Sequence, residues 1–574
     1  MASPLRIKSC INLEVPRKRE LNYKLISVGY YLRDHPELLI ATVIVAVGFI
    51  VSAIMLSVDP NFLKYYGDGV SHLVIARRVF DTLTPALAQF GGVWLPMTHL
   101  LLMPFVANDF LFHTGLAGTI VSISATAITA VALFRILRLQ FASSMVGIFG
   151  SFLYFLNSSV IYMGIVPMME ALFMMFFMLS VYYIQKWYYL SVSEQKIWIQ
   201  YRTILKCALA VSAASLTRYE GWALPLGLAF ILLFVQLFIR RKRWGGEREK
   251  HKLQALLSVA LIFGFIGITS WITWNLVIFK DPLYSFTGPY SAAVQADSRG
   301  FNKDYKLNPV TSSSLILDAA KEMYGLHVLA IAFFGIGLYL YSGTKTKLLR
   351  FHLLTVLMLM VPIIADFAAM IQGSGEIART GDSWFNGRYL IFIAPLLAFG
   401  SAYLLNSIIE MRKMSRWKPP MIIFTVLLIA GSYASTFASQ TFEYGKSMAL
   451  NSGGLLPSSE AAQINLATGK QLGRLYEGGN IVVFTLSMDG QWIMLESQLP
   501  LKNFIDLSNQ RYWEISEKSP WIYGNYVLLQ KQVDQMSTDP LKDIMQYWHV
   551  NKQTLLEHYN LIYENDRFEI FKRK

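Results

Sequence analysis

The sequence predicts an all-α polytopic membrane domain of about eleven spanning helices, with interfacial helices in its first exterior loop, followed by a small C-terminal α/β exterior domain. Three observations carry this. The 574-residue chain is 54% hydrophobic and only 15% charged, with a mean hydropathy of +0.40, whereas a soluble globular protein carries about 25% charged residues. Apolar runs long enough to cross a bilayer alternate with polar segments. Near residue 440 this pattern gives way to short strand-like runs alternating with helical stretches.

Residues 1–35 form a basic tail. The first apolar run spans a bilayer and ends at Val58-Asp59-Pro60 without a small-residue cleavage site, so it reads as a retained signal anchor. The expected spans are 38–58, 111–134, 143–164, 169–186, 203–217, 222–239, 253–279, 324–342, 350–371, 389–409 and 420–438. Orientation follows from Lys and Arg. With the N-terminus cytoplasmic, 27 of the 51 basic residues fall in cytoplasmic segments, 11 in exterior loops before residue 439, and 13 in the C-terminal region. That bias matches the positive-inside rule and predicts a multi-pass cell-membrane protein with its C-terminal domain outside.

The net charge of +14 has the same origin. Its basic residues sit between apolar runs, so topology and anionic lipid account for them, and nucleic acid is not an expected partner. Cys10 and Cys207 lie on separate elements and make neither a disulfide framework nor a zinc site. No phosphate-binding glycine loop, dinucleotide fingerprint, HExxH or GxSxG occurs, so nucleotide-using cytoplasmic chemistry has no support and no cofactor is expected.

The membrane domain is expected over 36–438. Its first exterior loop, 59–110, has Leu73, Ala76, Phe80 and Leu83 at helical spacing, with Arg77, Arg78 and Asp81 off the stripe. WLPMTHLLLMPF, containing Pro96 and Pro104, is apolar but too short to span. A second large exterior loop covers 280–321. In the C-terminal domain, 439–574, NIVVFTL, NFIDL, YVLLQ, YNLIYE and RFEIFK read as strands, and 458–476, 488–498 and 540–549 as helices.

The residues able to do chemistry gather on the exterior side. Asp68, in YYGDGVSHLVIARR, sits between glycines just past the first span. It reads as a helix N-cap or as a general base for a hydroxyl or amine acceptor, and the two are compatible. His72, one turn on, either orients Asp68 or faces the interface. Glu170, in VPMMEAL, opens an apolar helix, where an acid either faces a polar cavity or complements the helix dipole. Arg218 and Glu220, in TRYEGW, offer a phosphate ligand or an internal ion pair. Arg388 and Tyr389, in GRYL, offer a phosphate ligand or an interfacial anchor. Acids with arginines at one membrane face suit a phosphate leaving group. A proton-coupled transporter would place ionisable groups near the midplane, where Asp366 is the main exception.

On these motifs the chain resembles the GT-C superfamily of integral-membrane glycosyltransferases, and within it the dolichyl-phosphate-mannose protein mannosyltransferases and the lipid A aminoarabinose transferases. The carrying motifs are GDG after the first span, HLVIAR, WLPMTHLL with His99, MME, TRYEGW, DPLYSFTGPYSA (281–292) and GRYL, over roughly residues 36–410. Two departures bear on donor and acceptor identity rather than reaction class. Asp68 is flanked by glycines instead of joining an acidic doublet, and Leu95-Pro96 replaces a Pro-Pro. The resemblance implies transfer from a polyprenyl-phosphate-linked sugar to a protein, glycan or lipid acceptor, with inversion and without a metal. It implies that Asp68 is the base, with Glu170 beside it as a second catalytic residue. His72, His99, Arg218, Glu220, Arg388 and Tyr389 would bind substrate, the arginines balancing phosphate charge. The rival readings are an oligosaccharyltransferase-like catalytic subunit and a lipid-linked substrate transporter. The first expects a WWDYG-like motif, and SPWIYGNY (519–526) lacks its acid and paired tryptophans.

Overall fold

A computed structural model describes residues 35–574 except 65, 240–246, 289–290, 292–293, 295–304, 347, 374–376, 381–382, 412–416, 452–459, 486 and 532–551. Residues 1–34 of the basic tail, part of the 280–321 loop and the expected helix 540–549 lie outside the described residues.

Every expected span falls on helix. In chain order the helices that matter are α1 (Pro36–Val58), α2 (Gly67–Arg78), α3 (Met97–Val106), α4 (Asp109–Thr114), α5 (Leu116–Phe141), α6 (Ser144–Phe155), α7 (Ser158–Met163), α8 (Glu170–Val192), α9 (Ile197–Ser215), α10 (Leu224–Phe234), α11 (Glu247–Phe279), α12 (Pro309–Tyr324), α13 (Leu326–Thr346), α14 (Leu349–Gln372), α15 (Ala394–Ile409) and α16 (Lys418–Asn451). Among the described residues, eight helical segments are long and apolar enough to cross a membrane. Two expected spans are interrupted. The one expected at 111–134 starts only at α5, because Gly115, in the left-handed region at φ 82°, ends α4. The one at 143–164 breaks between α6 and α7, where the Asn157 side chain accepts from the N–H groups of Ser159 and Val160 and starts a new helix. α16 runs past the boundary expected at 438, to Asn451.

Burial sorts the spans into inner and outer helices. The apolar window of α5 is 72% buried and that of Gly387–Ile409 is 78% buried, against 22% for α1 and for Lys418–Thr436. α5 and α15 are therefore the core on which the others pack. α15 meets α13 closely because both are glycine at the crossing: a Cβ on Gly335 would lie 2.0 Å from the Gly400 carbonyl oxygen.

The C-terminal region is α/β, as expected. All five apolar runs contain strands: β3 (Asn480–Phe484), β4 (Phe504–Ile505), β5 (Gly524–Gln530), β6 (Tyr559–Glu564) and β7 (Phe568–Arg573), after a separate hairpin of β1 (Ala378–Thr380) and β2 (Ser383–Phe385). The sheet order is β4-β3-β5-β7-β6, with β3 parallel to β4 and β5, and β7 antiparallel to β5 and β6. Side chains alternate across it. Ile481 and Val483 face α17 (Glu460–Leu475) and α18 (Ser487–Glu496), joining Leu472 and Trp492, while Val482 and Phe484 join Trp513 and Phe571. The first of these cores is continuous with Val70, Leu73 and Val74 of α2. Leu73 and Ala76 of the expected stripe are buried, whereas Phe80 lies beyond the end of α2 and is exposed.

Candidate functional site

Glycine makes the first contact of the site possible. A Cβ on Gly118 of α5 would lie 2.2 Å from Pro167 Cβ, and one on Gly69 of α2 would lie 3.0 Å from Pro167 Cγ. The Pro167-Met168 turn can therefore press against both helices, and it leads directly into Glu170, the first residue of α8. The GDG and VPMME motifs meet at this turn.

Asp68 lies in the first turn of α2, and the N-cap position belongs to Tyr66. Asp68 makes no capping bond. Its Oδ2 instead accepts a hydrogen bond from Arg388 Nη2 at 2.8 Å. Arg388 comes from the turn Gly387–Ile393, entered through Asn386 in the left-handed region at φ 53°. Its Nε lies 3.2 Å from Glu170 Oε1 without hydrogen-bonding alignment, and its Nε and Nη1 have no hydrogen-bond partner among the described residues. Arg388 is 6% exposed, too enclosed to serve as an anchor spread on an interface.

Glu170 is fully buried. Its Oε1 accepts from Arg218 Nη1 at 2.7 Å, so one oxygen lies against two guanidinium groups, while Oε2 is unpartnered. Arg218 Nε is 3.2 Å from both Glu220 oxygens, and its Nη2 also donates to Glu220. The internal Arg218–Glu220 pair expected as one reading of TRYEGW is thus present and extended by Glu170. The Tyr389 ring lies against both arginines, with Arg218 Cζ 4.7 Å and Arg388 Cζ 5.4 Å from its centre. Phe392 and Tyr66 cover their other sides. Asp366 of α14 is buried, and its Oδ2 has no hydrogen-bond partner among the described residues.

His72 and His99 are both fully buried, and His72 Nδ1 lies 2.9 Å from His99 Nε2, one donating to the other. Trp94 packs on both rings. Burial, then the positive charges of Arg388 and Arg218, push the His72 imidazole down to about 3. Burial, then His72 and Arg78, hold His99 well below its ordinary value. At neutral pH each ring is therefore uncharged. Among the described residues the remaining nitrogens, His72 Nε2 and His99 Nδ1, lack partners, so the pair presents one donor and one acceptor whichever ring donates within it.

Six of the eight expected site residues (Asp68, Glu170, Arg218, Glu220, Arg388 and Tyr389) form one continuous network of ion pairs and ring contacts. His72, on the same helix as Asp68, and His99 of α3 form a second, neutral group. Sequence reasoning assigned no role to Tyr66, Phe392 or Asp366. Only Asp366 carried a signal, as an acid inside an apolar run. Among the described residues no group of three or more His, Cys, Asp or Glu side chains is arranged to hold a metal ion.

No protein-family model matches the chain, and no curated protein matches it by sequence. Solved structures do resemble it. ArnT from Cupriavidus metallidurans, in a crystal structure bound to undecaprenyl phosphate, superposes with a TM-score of 0.52 at 11% identity, over 92% of this chain and 97% of that one. The archaeal oligosaccharyltransferase AglB from Archaeoglobus fulgidus, in complex with an inhibitory peptide and a dolichol-phosphate, gives 0.46 at 10% identity, over 87% and 70%. The superposition on ArnT over nearly its whole length shows that the two chains share a fold.

Proposed function

We propose that the chain is a membrane glycosyltransferase that moves a sugar from a polyprenyl-phosphate-linked donor to an acceptor on the exterior side of the membrane, with Asp68 as general base. The observation carrying this reading is the Asp68–Arg388 pair, set beside Glu170 and Arg218. It sets together a carboxylate and a guanidinium whose Nε and Nη1 donate no hydrogen bond among the described residues. The fold shared with ArnT, whose crystal structure holds undecaprenyl phosphate, supports a lipid phosphate as the group Arg388 receives.

The donor phosphate takes Arg388 through its planar fork, in bidentate fashion. That draws the guanidinium from Asp68 and leaves the carboxylate able to accept a proton. The acceptor's hydroxyl or amine attacks the anomeric carbon from the face opposite the phosphate, its proton passes to Asp68, and the carbon–oxygen bond to phosphate breaks with its electron pair on the phosphate. Arg388 balances the charge that develops there. Arg218 is the weaker phosphate candidate because Glu170 and Glu220 already engage it. Glu170 positions Arg388 against Asp68, Glu220 keeps Arg218 in place, Tyr389 fixes the spacing of the two arginines, and the uncharged His72–His99 pair offers the sugar hydroxyls a donor and an acceptor.

The test is incubation of purified protein with labelled polyprenyl-phosphate sugars and a membrane extract. Appearance of label on a lipid, glycan or protein, with release of polyprenyl phosphate, is the expected result and identifies donor and acceptor class together. Export of intact donor across vesicles without any transfer would replace this reading with a transporter.

A further inference from the structure

The C-terminal domain touches the membrane domain along the helix that bears Asp68. Lys64, just before α2, forms a buried ion pair with Glu496 at the end of α18. Ser71, in the middle of α2, donates to the side chain of Gln491. Asp81, just after α2, accepts from the backbone N–H groups of Leu501 and Lys502, each at 3.2 Å. Arg77 at the end of α2 pairs with Asp81 at 2.9 Å and also donates to the Val106 carbonyl and to Asp109, which ties that end to α3 and α4.

Between these polar points Val70, Leu73 and Val74 of α2 join one apolar cluster with Trp492, Ile493 and Leu495 of α18. These partners on the far side come from residues 491–502, and Arg78 at the end of α2 adds a longer ion pair to Asp506 at 3.8 Å. Gln491 and Leu501 are buried and Glu496 is half-buried, where an ion pair or hydrogen bond is weakly screened and its loss is felt. α2 itself is short and begins with two glycines and a serine among its first five residues, so its own propensity does little to hold it. On the opposite side it meets the Pro167 turn, and through Asp68 it meets Arg388.

We propose that the segment 491–502 of the C-terminal domain is a clamp that holds α2 in place, and thereby sets the position of Asp68 against Arg388 and Glu170. Glu496, Gln491 and the Asp81-bound backbone are positioning groups in this scheme. The consequence for catalysis rests on the proposed role of Asp68. The clamp itself does not.

The full chain in lipid nanodiscs carries the test, read by amide hydrogen exchange in α2 with α15 as the internal control. Glu496→Lys places two like charges together, and exchange over residues 67–78 is expected to rise at least about tenfold while residues 394–409 stay unchanged. Lys64→Glu combined with Glu496→Lys reverses the pair and is expected to restore most of the protection. Gln491→Ala removes one hydrogen bond without burying a charge, and serves if Glu496→Lys does not fold. It is expected to raise α2 exchange by a smaller factor.

A parallel assay of sugar transfer should show a lower kcat with unchanged donor affinity, since Arg388 and Arg218 sit outside the clamp, and recovery in the reversed pair. Unchanged α2 exchange in the folded variants would overturn the clamp, as would an equal rise in α15 or a reversed pair no better protected than Glu496→Lys alone. If the wild type transfers no sugar, the proposed function fails while the exchange data still decide the clamp.

Discussion

At the scale of single residues, Arg388 links the two sides of the site. Arg388→Ala leaves the Asp68 carboxylate and part of the Glu170 charge without a partner. Breaking a buried pair from one side costs about 3–5 kcal/mol. The variant is expected to lose both stability and donor affinity, measurable by thermal denaturation and by polyprenyl-phosphate binding. Arg388→Lys keeps the charge and loses the fork, so it should recover most of the stability and only part of the affinity. Equal recovery of both would mean that planar geometry plays no part.

His72 gives a pH signature. Its folded-state value of about 3 lies below the ordinary 6.5. Between those limits the unfolded chain binds a proton that the folded chain refuses, so stability is retained above pH 6.5 and falls as pH drops through the window. One such group contributes a slope of at most about 1.4 kcal/mol per pH unit. His72→Gln should flatten the fall in denaturation midpoint between pH 6.5 and 5. A slope identical to wild type would show that His72 is protonated without penalty.

At the scale of elements, the Pro167 turn is where packing and chemistry meet. A methyl group on Gly118 would lie 2.2 Å from Pro167 Cβ and 2.4 Å from its Cα, so backbone must move. Overpacking of this kind costs about 1–3 kcal/mol. Glu170 follows three residues later and would move with the turn. Gly118→Ala is expected to lower both the melting temperature and transfer, while Gly227→Ala, where nothing lies within 4 Å, should be neutral or slightly stabilising. A Gly118→Ala protein with wild-type transfer would separate Glu170 from the turn.

The elements were the most legible part of the fold in the sequence. Short apolar runs such as NIVVF contain strands, and the long apolar runs are helical. The break at Asn157 was missed although its signal was present, since LNSS is a capping sequence inside an apolar run. The run of α16 to Asn451 had no apolar signal, because the residues after 438 are largely polar.

At the scale of the whole molecule, the residue types of the site were legible and their partners were not. Acids and arginines at loop–span junctions stand out against an apolar background. Which acid meets which arginine depends on helix packing: Asp68 and Arg388 are 320 residues apart in sequence, and Lys64 finds Glu496 on another domain. Only Arg218–Glu220, two residues apart, was local enough to read.

Sidedness rests on the Lys and Arg bias. In a chain with Cys10 and Cys207 replaced, a cysteine at exposed Lys518 should react with an impermeant reagent on intact cells, and one at exposed Lys250 should react only after lysis. The reverse pattern would place the site on the cytoplasmic face.

The base role of Asp68 is tested most directly by the single-turnover rate of polyprenyl-phosphate release in Asp68→Asn. Asn can still accept the hydrogen bond from Arg388 but cannot take a proton at neutral pH. With Asp68 as base, the variant folds, binds donor and releases phosphate about 100-fold more slowly or worse. Release at the wild-type rate by a folded, donor-bound Asp68→Asn protein would contradict it.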